Sequence, residues 1–245
     1  MKYKKTVFLI LMIIFSYISS CSNPPYSYHT NRYDEYMQRN LPRESFVKIK
    51  SRITVTNCTG GVCSRRTMAW VGSGFIVGVG ERGSFVITAA HVCRDEEESA
   101  DRLLEHKVVD IDGKEHVSIA LTYDIKADMC FMYATGLTNK KAIHVSPRQP
   151  IPGDRLYNLA APVGIFDINM VPILEGFYDG VSDGVAVYSI PAAGGSSGSP
   201  VLNSNMEIVG LIHSVHTRFP MITIGPTYEE LREFINDNLE RFSNL

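Results

Sequence analysis

Three residues in this sequence have the side-chain types that attack on a carbonyl group requires. Ser197 lies in the glycine-rich segment GGSSGSPV at residues 194–201. His91 follows the run FVITAA, and its ring can take the serine proton as a general base. The reaction also needs amide donors for the oxyanion, and glycine lets backbone N–H groups turn toward one point. The N–H groups of Gly195 and Ser197 are the candidate donors.

A third residue must hold the imidazole in the correct tautomer and stabilise the imidazolium that forms. Asp128 is the candidate, because it lies between His91 and Ser197 in the chain and heads the apolar run MCFM. Asp124, four residues earlier, is the rival acid, and its alternative role is that of a turn residue ahead of the strand. By composition alone, Ser196 and Ser199 are rival nucleophiles.

The elements that must position these residues are mostly short strands. From Phe46 onward, runs rich in Val, Ile, Thr, Tyr and Phe alternate with Gly, Asp and Asn, which is typical of antiparallel β barrels or sandwiches. The segment QPIPG at 149–153 divides the runs into two sets, so we expect two barrels in tandem. The predicted strands include 53–56, 68–77, 85–88, 116–122 and 130–134, followed by 155–160, 170–173, 185–190, 199–202, 208–215 and 221–224.

The end of the sequence has a helical pattern. The segment PTYEEL begins at Pro226, with acids early and with Leu231, Phe234, Ile235 and Leu239 on one face. Such spacing predicts an amphipathic helix over residues 227–242.

Four motifs, in order, resemble the trypsin/chymotrypsin superfamily, and in particular the compact bacterial trypsin-like peptidases of the HtrA type. They are GSGFIV at 72–77, VITAAH at 86–91, Asp128 ahead of its apolar run, and GSSGSP at 195–200. The order histidine, aspartate, serine differs from that of subtilisins and α/β-hydrolases. The resemblance covers about residues 46–242, and we expect no PDZ domain.

The resemblance implies an all-β fold of two tandem antiparallel six-stranded barrels with a C-terminal helix. Residues 46–245 would form the peptidase domain, with barrel 1 at about 46–140, barrel 2 at about 150–225 and the helix at about 227–242. It also implies a serine endopeptidase that acts through an acyl-enzyme, with His91, Asp128 and Ser197 catalytic and Gly195 and Ser197 as oxyanion donors. By motif position, Asp128 is preferred to Asp124, and Ser197 to its neighbouring serines.

The resemblance also places a substrate pocket, formed by the loop before the nucleophile and the strand after it. No acid occurs there, so we expect a small or aliphatic residue on the acyl side of the scissile bond. His213 has two interpretations: a specificity residue, or a structural hydrogen-bonding histidine near Asp128. The predicted pocket residues are Ala192, Ile212, His213, Ser214 and Val215.

The N-terminal residues indicate export. A basic head at 1–5 precedes an apolar run at 6–18, which is typical of a signal peptide and short for a membrane-spanning helix. The segment ISSC ends at Cys21 and resembles a bacterial lipobox, so we expect a lipoprotein-type signal peptide at 1–20 and lipidation of Cys21. Residues 21–45 would be a tether, and the domain would face the periplasm or the cell exterior. A soluble secreted product and an uncleaved anchor are the alternatives.

Four cysteines remain after Cys21, and an even number in an exported chain permits two disulfides. Cys58 and Cys63 bracket a hairpin-like turn. Cys93 follows His91 by two residues and Cys130 follows Asp128 by two, so these sulfurs are neighbours if the triad assembles. The alternative for Cys93 and Cys130 is a role as small apolar side chains.

Composition excludes some classes of function. The formal net charge is -2, which provides no basic surface for nucleic acid, and the cysteine spacing does not suit a zinc site. We therefore expect no cofactor, no metal and no nucleic-acid partner, but a polypeptide substrate and a membrane contact through Cys21. The sequence does not determine the oligomeric state. The alternative function is a catalytically silent trypsin-fold protein that binds a peptide or partner.

Overall fold

The computed structural model describes residues 40–94, 102–216 and 218–243. The predicted signal peptide, Cys21 and residues 22–39 of the predicted tether lie outside the described residues. Within the described ranges, no helix has the length and apolar character needed to cross a membrane.

The described chain is mostly β-structure, with two α-helices and two short 3-10 helices at Arg43–Ser45 and Pro162–Gly164. The first six strands are β1 (Phe46–Thr59), β2 (Val62–Val79), β3 (Gly83–Thr88), β4 (Arg102–Val109), β5 (Glu115–Asp124) and β6 (Met129–Thr135). The others are β7 (Arg155–Leu159), β8 (Ile173–Ser182), β9 (Val185–Tyr188), β10 (Ser199–Leu202), β11 (Ile208–Ile212), β12 (Ser214–Val215) and β13 (Thr223–Gly225). Helix α1 is Ala90–Cys93, and helix α2 is Tyr228–Arg241.

Strands β1 to β6 form a closed antiparallel barrel in the order β1-β2-β3-β6-β5-β4. Alternate residues of β1 point inward, so Val47 and Ile49 are fully buried while Lys50 is exposed. They pack with Ile76, Val86 and other apolar side chains in one core. Closure leaves the barrel without free strand edges.

Strands β7 to β13 form a second antiparallel sheet in the order β11-β10-β7-β8-β9-β13-β12. Only His213 separates β11 from β12 in the chain, yet these two strands lie at opposite ends of the sheet order. The sheet must therefore curl until its two ends meet at His213. Its core includes Leu156, Tyr188 and Val209. The predicted all-β fold with two barrel-like halves and a C-terminal helix is confirmed, although the second sheet has seven strands because one strand is interrupted at His213.

Two observed strands were not predicted from the sequence, and one predicted strand is not observed with its predicted bounds. Strand β4 carries charged residues such as Glu105 and Lys107 on its exposed face, and β8 contains two glycines and two acids. Pairing with neighbouring strands overrides these unfavourable local preferences. The strand predicted at 170–173 is not observed with those bounds: Met170 makes only an isolated bridge to Asp167, and Ile173 begins β8.

Helix α2 contacts both halves of the fold. A capping box formed by Thr227 and Glu230 begins it, which satisfies backbone N–H groups that have no partner within the helix. Leu231 and Ile235 are buried, and the helix packs against β11. At its other end, Phe242 stacks on Phe131 of β6, with ring centroids 5.9 Å apart.

Candidate active site

The pairing of β3 with β6 brings His91 and Asp128 together. Thr88 pairs with Cys130 in this antiparallel ladder, so the residues just after β3 lie beside those just before β6. The carbonyl of Asp128 accepts from the Ala90 N–H at 3.1 Å, and its Oδ1 accepts from the His91 N–H at 3.0 Å. Asp128 thereby satisfies the first N–H groups of α1, which have no partner within the helix.

The two side chains also contact each other directly. Nδ1 of His91 lies 2.7 Å from Oδ2 of Asp128. Because an ionised carboxylate can only accept hydrogen bonds, Nδ1 must donate. The neutral ring therefore keeps Nε2 free of a proton, which is the form that a general base requires.

Asp128 is held in its ionised form. Burial opposes ionisation, but hydrogen bonds from the ring and backbone of His91, together with the charges of His91 and His213, outweigh it. The pKa of Asp128 is therefore lowered from its ordinary value. An ionised acid at this position can stabilise an imidazolium at His91.

The Ser197 loop is held between the two halves of the fold. Ser73 in β2 donates its N–H to the Ser197 carbonyl at 2.8 Å, and the Gly198 N–H donates to the Ile212 carbonyl at 2.7 Å. Gly198 has a φ of +87°, and a Cβ there would collide with the Ser73 carbonyl and the Thr88 hydroxyl. Glycine is therefore required next to Ser197.

The Ser197 hydroxyl does not bond to His91 in this structure. Its Oγ donates to the carbonyl of His213 at 3.3 Å, while His91 and Ser197 line the same groove. The structure thus brings the three predicted residues to one groove and joins two of them by a hydrogen bond.

A hydrogen bond fixes the orientation of the peptide between Gly194 and Gly195. The Val163 N–H donates to the Gly194 carbonyl at 2.6 Å, and no described peptide bond is cis. In a trans peptide the C=O and N–H point in opposite directions. The Gly195 N–H therefore points away from Val163. Within the described chain, no backbone carbonyl accepts from it or from the Ser197 N–H.

Ser73 holds this loop in place, a role that the sequence did not reveal. Its buried Oγ donates to the Gly195 carbonyl at 2.8 Å and accepts from the Ala161 N–H at 2.9 Å. One side chain of β2 thus connects two loops of the second half. The available signal was a polar residue in the motif GSGF, within the part of β2 at 72–77 that is buried and otherwise contains only glycine and apolar residues.

A groove of about 810 Å³ lies beside His91 and Ser197. Its volume is within the range typical of ligand sites. Trp70 forms part of the lining, and its Nε1 donates to the Val92 carbonyl at 3.0 Å. The other lining residues are Ile53, Met68, Val71, Ala90, Val92, Arg94, Arg102, Ile125, Asp128, Gly194 and Gly195.

The five residues predicted to form the substrate pocket do not line this groove. Ile212 is buried in the second core, and Ala192 packs against that core. Ser214 is exposed and Val215 is half-buried. The ring of His213 turns toward Asp128, with Nδ1 at 3.9 Å from Oδ2.

The rival residues have other contacts. Oδ1 of Asp124 accepts from the Ala127 N–H at 3.0 Å, so Asp124 stabilises the turn that leads to Asp128. Ser196 is buried, and its Oγ accepts from the Ala193 N–H at 3.3 Å. Ser199 is also buried and accepts from Asn158 at 2.8 Å.

All four described cysteines are paired. Cys58–Cys63 joins β1 to β2 near the tip of their hairpin. Cys93–Cys130 joins α1 to β6, two residues after His91 and two after Asp128. The second disulfide therefore ties together the two elements that carry the histidine–aspartate pair.

A closed barrel and a curled second sheet, with a histidine, an aspartate and a serine loop in one groove, define a chymotrypsin-like double barrel. The family model of the trypsin-like peptidase domain matches residues 72–211, a range that includes all three predicted catalytic residues. The chain belongs to this family. No curated protein matches the chain.

Proposed function

We propose that this protein is an exported serine endopeptidase that hydrolyses peptide bonds through His91, Asp128 and Ser197. The observation that carries the proposal is the 2.7 Å contact between His91 Nδ1 and Asp128 Oδ2. This contact leaves Nε2 as a proton acceptor in the groove that Ser197 lines. Membership of the trypsin-like peptidase family supports the same reaction class.

In the proposed reaction, the Ser197 hydroxyl leaves the His213 carbonyl and turns to Nε2 of His91. His91 takes the proton as Oγ attacks the substrate carbonyl, and Asp128 remains ionised and stabilises the imidazolium. His91 then gives the proton to the leaving amine, which leaves an acyl-enzyme on Ser197. Water, deprotonated by His91, hydrolyses the acyl-enzyme and restores the serine.

The N–H groups of Gly195 and Ser197 would receive the negative charge that develops on the substrate oxygen. Loss of one such donor costs on the order of 100- to 1,000-fold in rate. The hydrogen bonds from Val163 and Ser73 to the Gly194 and Gly195 carbonyls are therefore part of the catalytic arrangement.

The substrate would be a polypeptide. Apolar side chains such as Ile53, Met68 and Trp70 contribute much of the groove lining, which suits an extended chain with apolar residues. For the enzyme's location, the lipobox-like segment supports export and attachment to a membrane surface through a lipidated Cys21. The catalytic domain would then face the periplasm or the cell exterior.

One observation favours a second candidate, a trypsin-fold protein that only binds a peptide or partner. The Ser197 hydroxyl bonds to a backbone carbonyl rather than to His91, so the nucleophile is not activated in this arrangement. The same arrangement also suits a resting enzyme in which the hydroxyl turns to His91 during the reaction.

Labelling with a fluorophosphonate probe separates the two candidates, because the probe reacts with a serine activated by a neighbouring base. The full-length protein in detergent should be labelled, and mass spectrometry should locate the label on Ser197. Ser197→Ala should abolish labelling, whereas Ser204→Ala, which changes an exposed turn serine, should not. A folded wild-type protein that takes no label would contradict the peptidase proposal and favour the binding function.

A further inference from the structure

His213 occupies a fixed position between the two ends of the second sheet. Its backbone N–H donates to the Ile224 carbonyl of β13 at 3.1 Å. Its carbonyl accepts from the Ser197 hydroxyl at 3.3 Å. The backbone of His213 is therefore bonded both to the sheet and to the candidate nucleophile.

The side chain of His213 reaches the third member of the triad. It is only 12% exposed, and Nδ1 lies 2.9 Å from the Ser214 hydroxyl and 3.9 Å from Oδ2 of Asp128. Oδ2 is also the oxygen that bonds to the His91 ring. One carboxylate oxygen thus faces two imidazoles, one in hydrogen-bond contact and one about an ångström farther away.

Among the described residues, the titratable groups that act on the His213 ring are Asp128, ahead of β6, and His91, in α1. The strand packed beside it, Thr223–Gly225, contains no titratable residue. Burial lowers the pKa of His213 below its ordinary value of 6.5, the charge of Asp128 partly offsets this effect, and His91 adds to the lowering. His213 is therefore neutral at neutral pH and gains a proton only in acid.

The two charge states of His213 have different consequences for Asp128. When the ring is neutral, Nδ1 can form its hydrogen bond with the Ser214 hydroxyl. Oδ2 of Asp128 then bonds to His91 alone. A protonated ring is a cation that donates from both nitrogens, and it attracts the same carboxylate oxygen. It also repels a second positive charge on His91.

We infer that His213 is a positioning residue that acts through Asp128: its neutral ring leaves the carboxylate bonded to His91, and its protonated ring competes for that carboxylate. This inference rests on the proposed function. It predicts that the titrations of His91 and His213 are coupled, as expected for ionisable groups that share a charged neighbour.

The pH dependence of the fluorophosphonate labelling rate tests the inference without a known substrate. Rates would be measured from about pH 4 to about pH 9. In the wild type, protonation of either His91 or His213 should slow labelling. At the acid end of the range the rate should therefore fall about a hundredfold per pH unit, the slope expected when two protons bind. His213→Gln cannot be charged, so its rate should fall about tenfold per unit, with a loss below about tenfold on the alkaline plateau.

The control is His216→Gln, which removes an exposed histidine three residues away and should keep the two-proton dependence. Identical slopes in the wild type and in His213→Gln would overturn the inference. If the wild type is not labelled at any pH, the proposed function fails instead.

A second measurement covers the outcome in which His213→Gln does not fold. Nitrogen-15 NMR of the histidine rings can be recorded on full-length Ser197→Ala, which keeps both histidines and Asp128. The His213 signal should titrate in two steps, one of them coinciding with the titration of His91. A single step independent of His91 would refute the coupling.

Discussion

Asp128 combines three hydrogen-bonding roles in one residue. Its carbonyl and Oδ1 accept from the backbone of α1, and its Oδ2 accepts from the His91 ring. Its own backbone has a φ of 51°, a left-handed conformation that aspartate adopts more readily than most residues. An asparagine would fit the same backbone, but it would alter the hydrogen bond to the ring.

Asp128→Asn should lower the labelling rate of Ser197 by about 10,000-fold, because the amide can donate to Nδ1 and so favours the wrong tautomer of a triad histidine. The rate of labelling at neutral pH measures this effect. Asp124→Asn is the matched control: it retains an Oδ1 that can accept from Ala127, so its rate should stay near that of the wild type. A large loss in Asp124→Asn and none in Asp128→Asn would reverse the assignment of the acid.

At the level of elements, the position of His91 depends on α1, which has only four residues. A helix this short has no intrinsic stability. It is fixed by Asp128 at its beginning and by the Cys93–Cys130 disulfide at its end. The contacts of α1 with β6 therefore determine where the imidazole lies.

Replacing Cys93 and Cys130 together with alanine should destabilise the protein and also slow the labelling of Ser197. The bond spans 37 residues, so the loop-closure model predicts a loss of about 4 kcal/mol in the free energy of unfolding. The labelling rate should fall because α1 loses its covalent connection to β6. Urea unfolding and the labelling rate measure the two effects.

The double variant Cys58→Ala with Cys63→Ala is the control, since its disulfide spans five residues at the tip of the β1–β2 hairpin. The loop-closure model predicts a loss of about 2 kcal/mol, and the labelling rate should not change. Equal effects of the two double variants on the rate would show that the α1–β6 connection does not position His91.

At the level of the whole molecule, the candidate site requires both halves of the fold. His91 and Asp128 come from the first barrel, and the Ser197 loop comes from the second sheet. Ser73 links the two halves directly, because its side chain in β2 forms hydrogen bonds with the Gly195 carbonyl and the Ala161 N–H. Helix α2 also contacts both halves: it packs against β11, and Phe242 at its end stacks on Phe131 of β6.

Ser73→Ala should lower both the stability and the labelling rate. It leaves a buried carbonyl and a buried N–H without a partner, at about 1–3 kcal/mol each. It also frees the loop that contains Gly195. Thermal unfolding and the rate of labelling at neutral pH measure the two consequences.

Ser84→Ala is the matched control for Ser73→Ala. Ser84 is equally buried, and its hydroxyl donates to the Leu137 carbonyl within the first half of the fold. This variant should lose stability but keep its labelling rate. A similar decrease in rate for both variants would mean that Ser73 acts only through overall stability.

The sequence by itself determined the fold class, the order of the candidate catalytic residues and the end helix, because these depend on local signals. Strand runs, the GSSGSP segment and the amphipathic pattern are each contained within a few consecutive residues. Strands β4 and β8 were not predicted, because charged residues on their exposed faces and the two glycines within β8 conceal the alternation that pairing imposes.

The tertiary structure decided the contacts between residues that are far apart in the sequence. The hydrogen bonds of Ser73 cross 88 and 122 residues, and the ring of His213 reaches Asp128 only because the second sheet curls until its ends meet. The groove is assembled from the β1–β2 hairpin, α1, the start of β4, the turn between β5 and β6, and the Ser197 loop. No local pattern encodes such contacts, because they arise from the closure of a barrel and a sheet around separate cores.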